Sequence, residues 1–134
     1  MIAPDIRAHC NLYENYMIFS ESLKKNRDFQ KVYQLGKSYV NKYLIMYALQ
    51  NARTGNRLGI SVSKKVGNSV IRHRMTRLVR ESYRLNETAF QSGYDFVVIV
   101  RPAAREKGYQ EIESALLHLS RLQKVLRAEN IENK

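Results

Sequence analysis

Residues 69–85 constrain this chain more than any other stretch, because their side chains divide cleanly around a helix. At 100° per residue, Ile71, Met75, Leu78, Val79, Ser82 and Leu85 fall within an arc of about 120°. Such a stripe has to be covered by another layer. His73, Arg77, Arg80 and Arg84 fall on the opposite side within about 60° of one another. Arg72 and Arg74 flank them, and Lys64 and Lys65 precede the helix in a tight loop ending at Asn68, which reads as its N-cap. The only acid between Lys64 and Arg84 is Glu81. Like charges at i,i+3 and i,i+4 repel by about 0.2–0.5 kcal/mol per pair. The compensating anions are therefore expected on a partner.

A basic run is more often a solvated helix face than a binding edge. Two features count against that here. The run lacks acids, and all 134 residues together carry a formal charge of +11. An excess of this size points to a polyanion. A lipid surface would need an apolar face left free, often with Trp. This stripe is needed for packing and the chain has no Trp. Nucleic acid is the better match, and nothing implies a membrane or a protein partner.

The length suits one domain with a real core. Residues 1–16 show no periodicity and read as a poorly ordered extension before Met17. Residues 17–134 read as a single α+β domain that binds RNA. A lone cysteine, Cys10, fits a reducing cytoplasm. His9, His73 and His118 lack ligand spacing with one another or with Cys10, so no metal site is expected.

Within the domain, Asn26 reads as the cap of a short helix ending before Gly36, with Phe29, Val32 and Tyr33 on one face. Residues 39–40 and 43–49 read as strand, and 51–56 as a hairpin turn. Residues 58–63 alternate, with Leu58, Ile60 and Val62 on one side. Phe96 to Val100 is an unbroken apolar run, the mark of a strand buried on both faces and stopped by Pro102. Ile112, Leu116, Leu119, Leu122 and Leu126 keep a helical period from about Tyr109. The expected order is α-β-β-β-α-β-α around a four-stranded sheet.

No catalytic constellation is found: no triad, no P-loop and no glycine-rich dinucleotide turn. His73 lies between two arginines, which disfavour its charged form, and no carboxylate nearby in sequence orients it. Asp95 beside the apolar run reads as structural. The aromatics are more informative. Phe29 and Tyr33 sit one turn apart, and Tyr39, Tyr43 and Tyr47 come from the early strands. Tyrosines suit half-wet surfaces. Aromatics in a groove beside cations are what single-stranded RNA requires, since bases stack on rings for about 1–3 kcal/mol each.

The run LGISVSKKVGNSVIRHRMTRLVRESYR resembles the signature of the bacterial ribonuclease P protein subunit. That signature is a strand ending in Ser-Lys-Lys, a Gly-Asn turn, then an Arg-Asn-Arg helix with spaced arginines. The likeness reaches back to Asp28-Phe29-Gln30-Lys31-Val32-Tyr33 and covers nearly all the chain beyond its first 16 to 20 residues. Two positions depart: Arg72-His73-Arg74 replaces Arg-Asn-Arg, and Thr76 stands where many members have Lys. The resemblance implies a subunit that assists a catalytic RNA, which uses Mg²⁺ held mainly by that RNA to cut the 5′ leader from precursor tRNA. It implies that Lys64, Lys65, Asn68, Arg72, His73, Arg74, Arg77, Arg80 and Arg84 contact the catalytic RNA. It places the leader in a cleft with Phe29, Tyr33 and Tyr47. It also implies a left-handed βαβ crossover around the arginine helix, against the strong right-handed rule. A structural RNA-binding protein of ribosomal type is the alternative.

Overall fold

The computed structural model describes residues 20–127. The extension at 1–16, with His9 and Cys10, lies outside them. Five strands form one sheet: β1 (Ser20–Ser22), β2 (Lys37–Val40), β3 (Leu44–Gln50), β4 (Asn56–Ser61) and β5 (Tyr94–Val100). The helices are α1 (Asn26–Leu35), α2 (Ser69–Leu85) and α3 (Tyr109–Gln123). Among the described residues no helix is long and apolar enough to cross a membrane.

The strand order is β1-β4-β5-β3-β2. β5 runs parallel to β4 and antiparallel to β3. Its run is apolar throughout because both faces are covered. Phe96, Val98 and Val100 point into the main core with Leu44, Met46 and Leu58, under α2 and α3. Val97 points the other way and meets Leu23 and Val32, with α1 above. β4 and β5 are adjacent and parallel, so the chain carrying α2 between them is a βαβ crossover.

Several expectations are corrected here. The sheet has five strands, since β1 pairs in parallel with β4 at its edge. Its sequence, Ser-Glu-Ser, carries no strand signal; the pairing and the buried Leu23 next to it create the strand. Residues 51–56 are not a hairpin, because β5 lies between β3 and β4. The local turn is real. Asn51 Oδ1 accepts the Arg53 N–H at 2.8 Å, and Ala52 takes a positive φ of 59°. A turn signal cannot report that another strand will enter the gap. α1 is capped by Lys25 without a side-chain hydrogen bond, and Asn26 is its first residue. Leu126 lies beyond α3, which ends where Lys124 becomes left-handed; it bridges to Phe90 instead.

The buried side of α2 is Met75, Val79, Ser82 and Tyr83, a sector of about 100°. It is rotated toward Tyr83 and away from Leu85, which is exposed. The Tyr83 ring packs against Phe90 and Phe96, with centroids 4.9 and 6.2 Å away. Its hydroxyl pairs with Ser20 Oγ at 2.8 Å and accepts from Asn56 Nδ2 at 3.2 Å. Burial pushes its pKa up, and those two hydrogen bonds work against the rise. A buried phenol needs such partners, and these fasten α2 to the β1 edge.

α1 is held to the sheet by charge as well as by packing. Arg57 Nε and Nη2 donate to the two Asp95 oxygens at 2.9 and 2.6 Å, and Nη1 reaches Asp28 of α1 at 3.4 Å. Asn51 Nδ2 adds a bond to Asp95 at 2.8 Å. Asp95 is structural, as its place beside the apolar run suggested. Burial alone would raise its carboxyl, but the bonds from Arg57 and Asn51 outweigh burial and hold it below the usual range. A lowered carboxyl pKa contributes stability above its unfolded value, near pH 4, and loses it as pH falls through the folded value. We expect Asp95→Asn to lose less stability than the wild type on acidification. Urea midpoints of both proteins at pH 7 and pH 3 test this; equal acid-induced drops would refute it.

Candidate nucleic-acid interface

Two surfaces carry the residues singled out above, on opposite faces of the sheet. The first is a cleft beside α1. Phe29 and Tyr33 descend from that helix, and Tyr47 rises from β3. Their rings form a ladder, with centroids 6.3 Å apart for Phe29–Tyr33 and 5.1 Å for Tyr33–Tyr47, the latter edge to face. All three are half-buried, packed onto Leu23, Val32 and Val97 with Leu49 and Ile99 beside them. They are therefore neither closed core nor free surface.

Gly59 of β4 sets the depth of the cleft. A Cβ there would lie 2.6 Å from the tip of the Phe29 ring and 3.2 Å from Leu23 Cβ, so the bare backbone is the floor on which that ring rests. The Tyr33 hydroxyl bonds to Ser61, the last residue of β4. Burial raises the Tyr33 pKa, the Ser61 bond lowers it less, and Tyr47 adds to the rise. The phenol is thus uncharged at neutral pH. Ser61 lies three residues before the basic loop at Lys64 and Lys65. Lys25, Arg27 and Lys31 are exposed on or beside α1.

The second surface is α2. Asn68 caps it as expected, its Oδ1 accepting the Ile71 N–H at 3.0 Å. The arginines then separate into two kinds. The side chains of Arg77 and Arg80, with those of Lys64, Lys65 and His73, make no hydrogen bond or ion pair among the described residues. Arg72, Arg74 and Arg84 are already engaged. Arg72 Nε donates to Gly67 O at 3.2 Å. Arg74 donates to the carbonyls of Arg105 at 3.3 Å and Lys107 at 2.8 Å. Arg84 pairs with Glu81, and only 9% of its side chain is exposed. A helical wheel shows direction alone, so it cannot distinguish a free guanidinium from one used as a strut. The Arg74 contacts join residues 31 and 33 positions apart, and no local pattern predicts them.

Among the described residues no group of three or more His, Cys, Asp or Glu side chains could hold a metal ion. His118 is exposed at the edge of α3, where Nδ1 lies 3.1 Å from Asn41 Nδ2.

A family model described as Ribonuclease P matches residues 17–124. The chain belongs to the ribonuclease P protein family. It is similar to the ribonuclease P protein component of Lachnoclostridium phytofermentans, 57% identical over 107 residues that span 80% of this chain and 92% of the relative. The corresponding component of Alkaliphilus metalliredigens is 54% identical over 107 residues, covering 80% and 96%. Among solved structures, the ribonuclease P protein of Staphylococcus aureus matches with a TM-score of 0.74 at 36% identity, covering 79% of this chain and 97% of that one. The Thermotoga maritima protein gives 0.69 at 33% identity, covering 75% and 96%. The α+β class is shared with both. The chain is a protein subunit of ribonuclease P and a component of tRNA processing, and the ribosomal-type alternative is not favoured.

In this ribonuclease P protein, Gly59→Ala should displace the Phe29 ring, because the clash falls on the far end of a side chain that can swing outward. We expect a fold that survives with Phe29 moved from β4. A structure of the variant, or ring-proton shifts of Phe29 by NMR, checks this. An unmoved ring would show that the strand yields instead.

Proposed function

We propose that this subunit binds the ribonuclease P RNA through α2 and the 64–65 loop and lays the 5′ leader of precursor tRNA in the α1 cleft, while the RNA cuts. The observation that carries it is the half-buried ladder of Phe29, Tyr33 and Tyr47 on a sheet face that α1 only partly covers. Rings in that state can stack bases, and stacking tolerates any sequence. A leader-binding surface needs such tolerance, because leaders differ from one tRNA to the next. Arg77, Arg80, Lys64, Lys65 and His73 are then the groups free to meet phosphates of the RNA subunit. Asn68, Arg72, Arg74 and Arg84 hold the shape from which they project. His73 can still donate a hydrogen bond where the family has Asn.

On this reading the described residues contribute no catalytic group. The Mg²⁺ of the reaction is held mainly by the RNA subunit in this reading; among the described residues no group of three or more His, Cys, Asp or Glu side chains is placed to hold it. A cytoplasmic location is part of this proposal, because it is where such an RNA partner would be met.

Reconstitution tests the division of labour. The purified chain should leave precursor tRNA intact, and adding it to the RNA subunit at low Mg²⁺ should restore cleavage at the mature 5′ end. Cleavage at that site by RNA-free protein would overturn the helper role.

Tyr33→Ala tests the cleft. Being half-buried, it should cost less than the roughly 3–5 kcal/mol of a fully buried aromatic. It should weaken binding of leader-bearing precursor to the reconstituted enzyme by about 1–3 kcal/mol and leave mature tRNA binding nearly unchanged. Equal weakening of both substrates would return the residue to a packing role.

A further inference from the structure

A second concentration of cations lies away from the leader cleft, where the turn before β3 meets the segment after β5. The two are bound together. Asn41 Oδ1 accepts the N–H groups of Tyr43 at 3.2 Å and Leu44 at 2.9 Å. Arg101 donates from Nη1 to Asn41 O at 2.6 Å and from its backbone to Tyr43 O at 2.9 Å. The Tyr43 ring packs against the main core, on the α2–α3 side of the sheet. Lys42 Nζ and Lys107 Nζ each lie 5.7 Å from its centroid. A ring attracts one cation by about 0.5–1 kcal/mol at an exposed site. Neither ammonium has an ion-pair partner among the described residues, so both remain available to an anion.

The acids nearby do not supply it. Glu106 and Glu111 form no ion pair among the described residues, and Glu111 instead accepts the Gly108 N–H at 3.1 Å. The patch is continuous with α2, because Arg74 grips the carbonyls of Arg105 and Lys107. On its far side, Lys42, Tyr43, Gln110, Glu111, Ser114 and His118 are among the residues that line an open groove of about 450 Å³, with Glu111 turned to the Gly108 N–H. Arg105 and Lys107 thus lie between the free face of α2 and this groove.

Building on the RNA-binding role proposed above, we infer that Lys42 and Lys107, held by the Tyr43 ring, form a second phosphate-binding site for the ribonuclease P RNA. The RNA backbone crosses from Arg77 and Arg80 over the 105–107 turn to reach it. The RNA subunit is favoured over the leader because Tyr43 belongs to the opposite sheet face from Phe29, Tyr33 and Tyr47.

The test is a salt titration of RNA-subunit binding by the full chain carrying Lys42→Gln and Lys107→Gln. Both substitutions keep the backbone carbonyl that Arg74 uses. Each lost phosphate contact should shallow the plot of log K against log salt by about 0.7–0.9, so the double variant should lose about 1.4–1.8 with an unchanged urea midpoint. Arg77→Gln with Arg80→Gln is the reference. If that pair shallows the slope and the lysine pair does not, the second site is refuted while the α2 contact stands. If neither changes it, the proposed RNA face of α2 falls as well. A lysine-pair defect seen only with leader-bearing precursor would also overturn the assignment, by giving the patch to the leader.

Discussion

The strand that must be buried on both faces governs this molecule. Phe96 to Val100 offers no polar side to water, so β5 takes the interior of the sheet and needs cover above and below. α2 and α3 together cover one face. α1 alone covers the other, and it is only ten residues long. The mismatch leaves part of the second face bare beyond α1, and the half-buried rings line that remainder. The cleft is thus what a short helix leaves open on a sheet whose centre had to be dry.

Much of this was legible in the residues. The extent of α2, its Asn68 cap, the doubly buried β5 and the start of α3 all follow from periodicity, capping chemistry and hydropathy. Those signals are local, and so are the elements. The misplaced features depend on contacts distant in sequence. The turn at 51–56 looks like a hairpin until β5, arriving some forty residues later, enters between its strands. β1 exists only as the parallel partner of β4. Tyr83 rather than Leu85 is buried because Phe90, Phe96, Ser20 and Asn56 converge on it.

The candidate site shows the same limit more finely. The sequence groups the arginines by direction, and direction is correct for Arg77 and Arg80. It cannot show that Arg74 is occupied by two carbonyls from the segment after β5, or that Arg84 is almost enclosed with Glu81. The chain was basic enough to suggest a polyanion, yet some of that charge holds the protein together. Counting charges therefore overstates the cations available to RNA; charge engaged in internal bonds has to be set aside first.

The Tyr33–Ser61 hydrogen bond has a consequence for how the two surfaces respond to their surroundings. An uncharged phenol and apolar rings gain nothing from counterion release, whereas the guanidinium and ammonium groups on the opposite face depend on it. On the proposed function, stacking on these rings is indifferent to ionic strength, while Lys25, Arg27 and Lys31 beside the cleft add a salt-dependent share. A rise in salt would then weaken phosphate contacts on both faces and leave ring stacking as the part of the proposed leader binding that persists. The rings thus supply the one share of the proposed grip that salt does not tune.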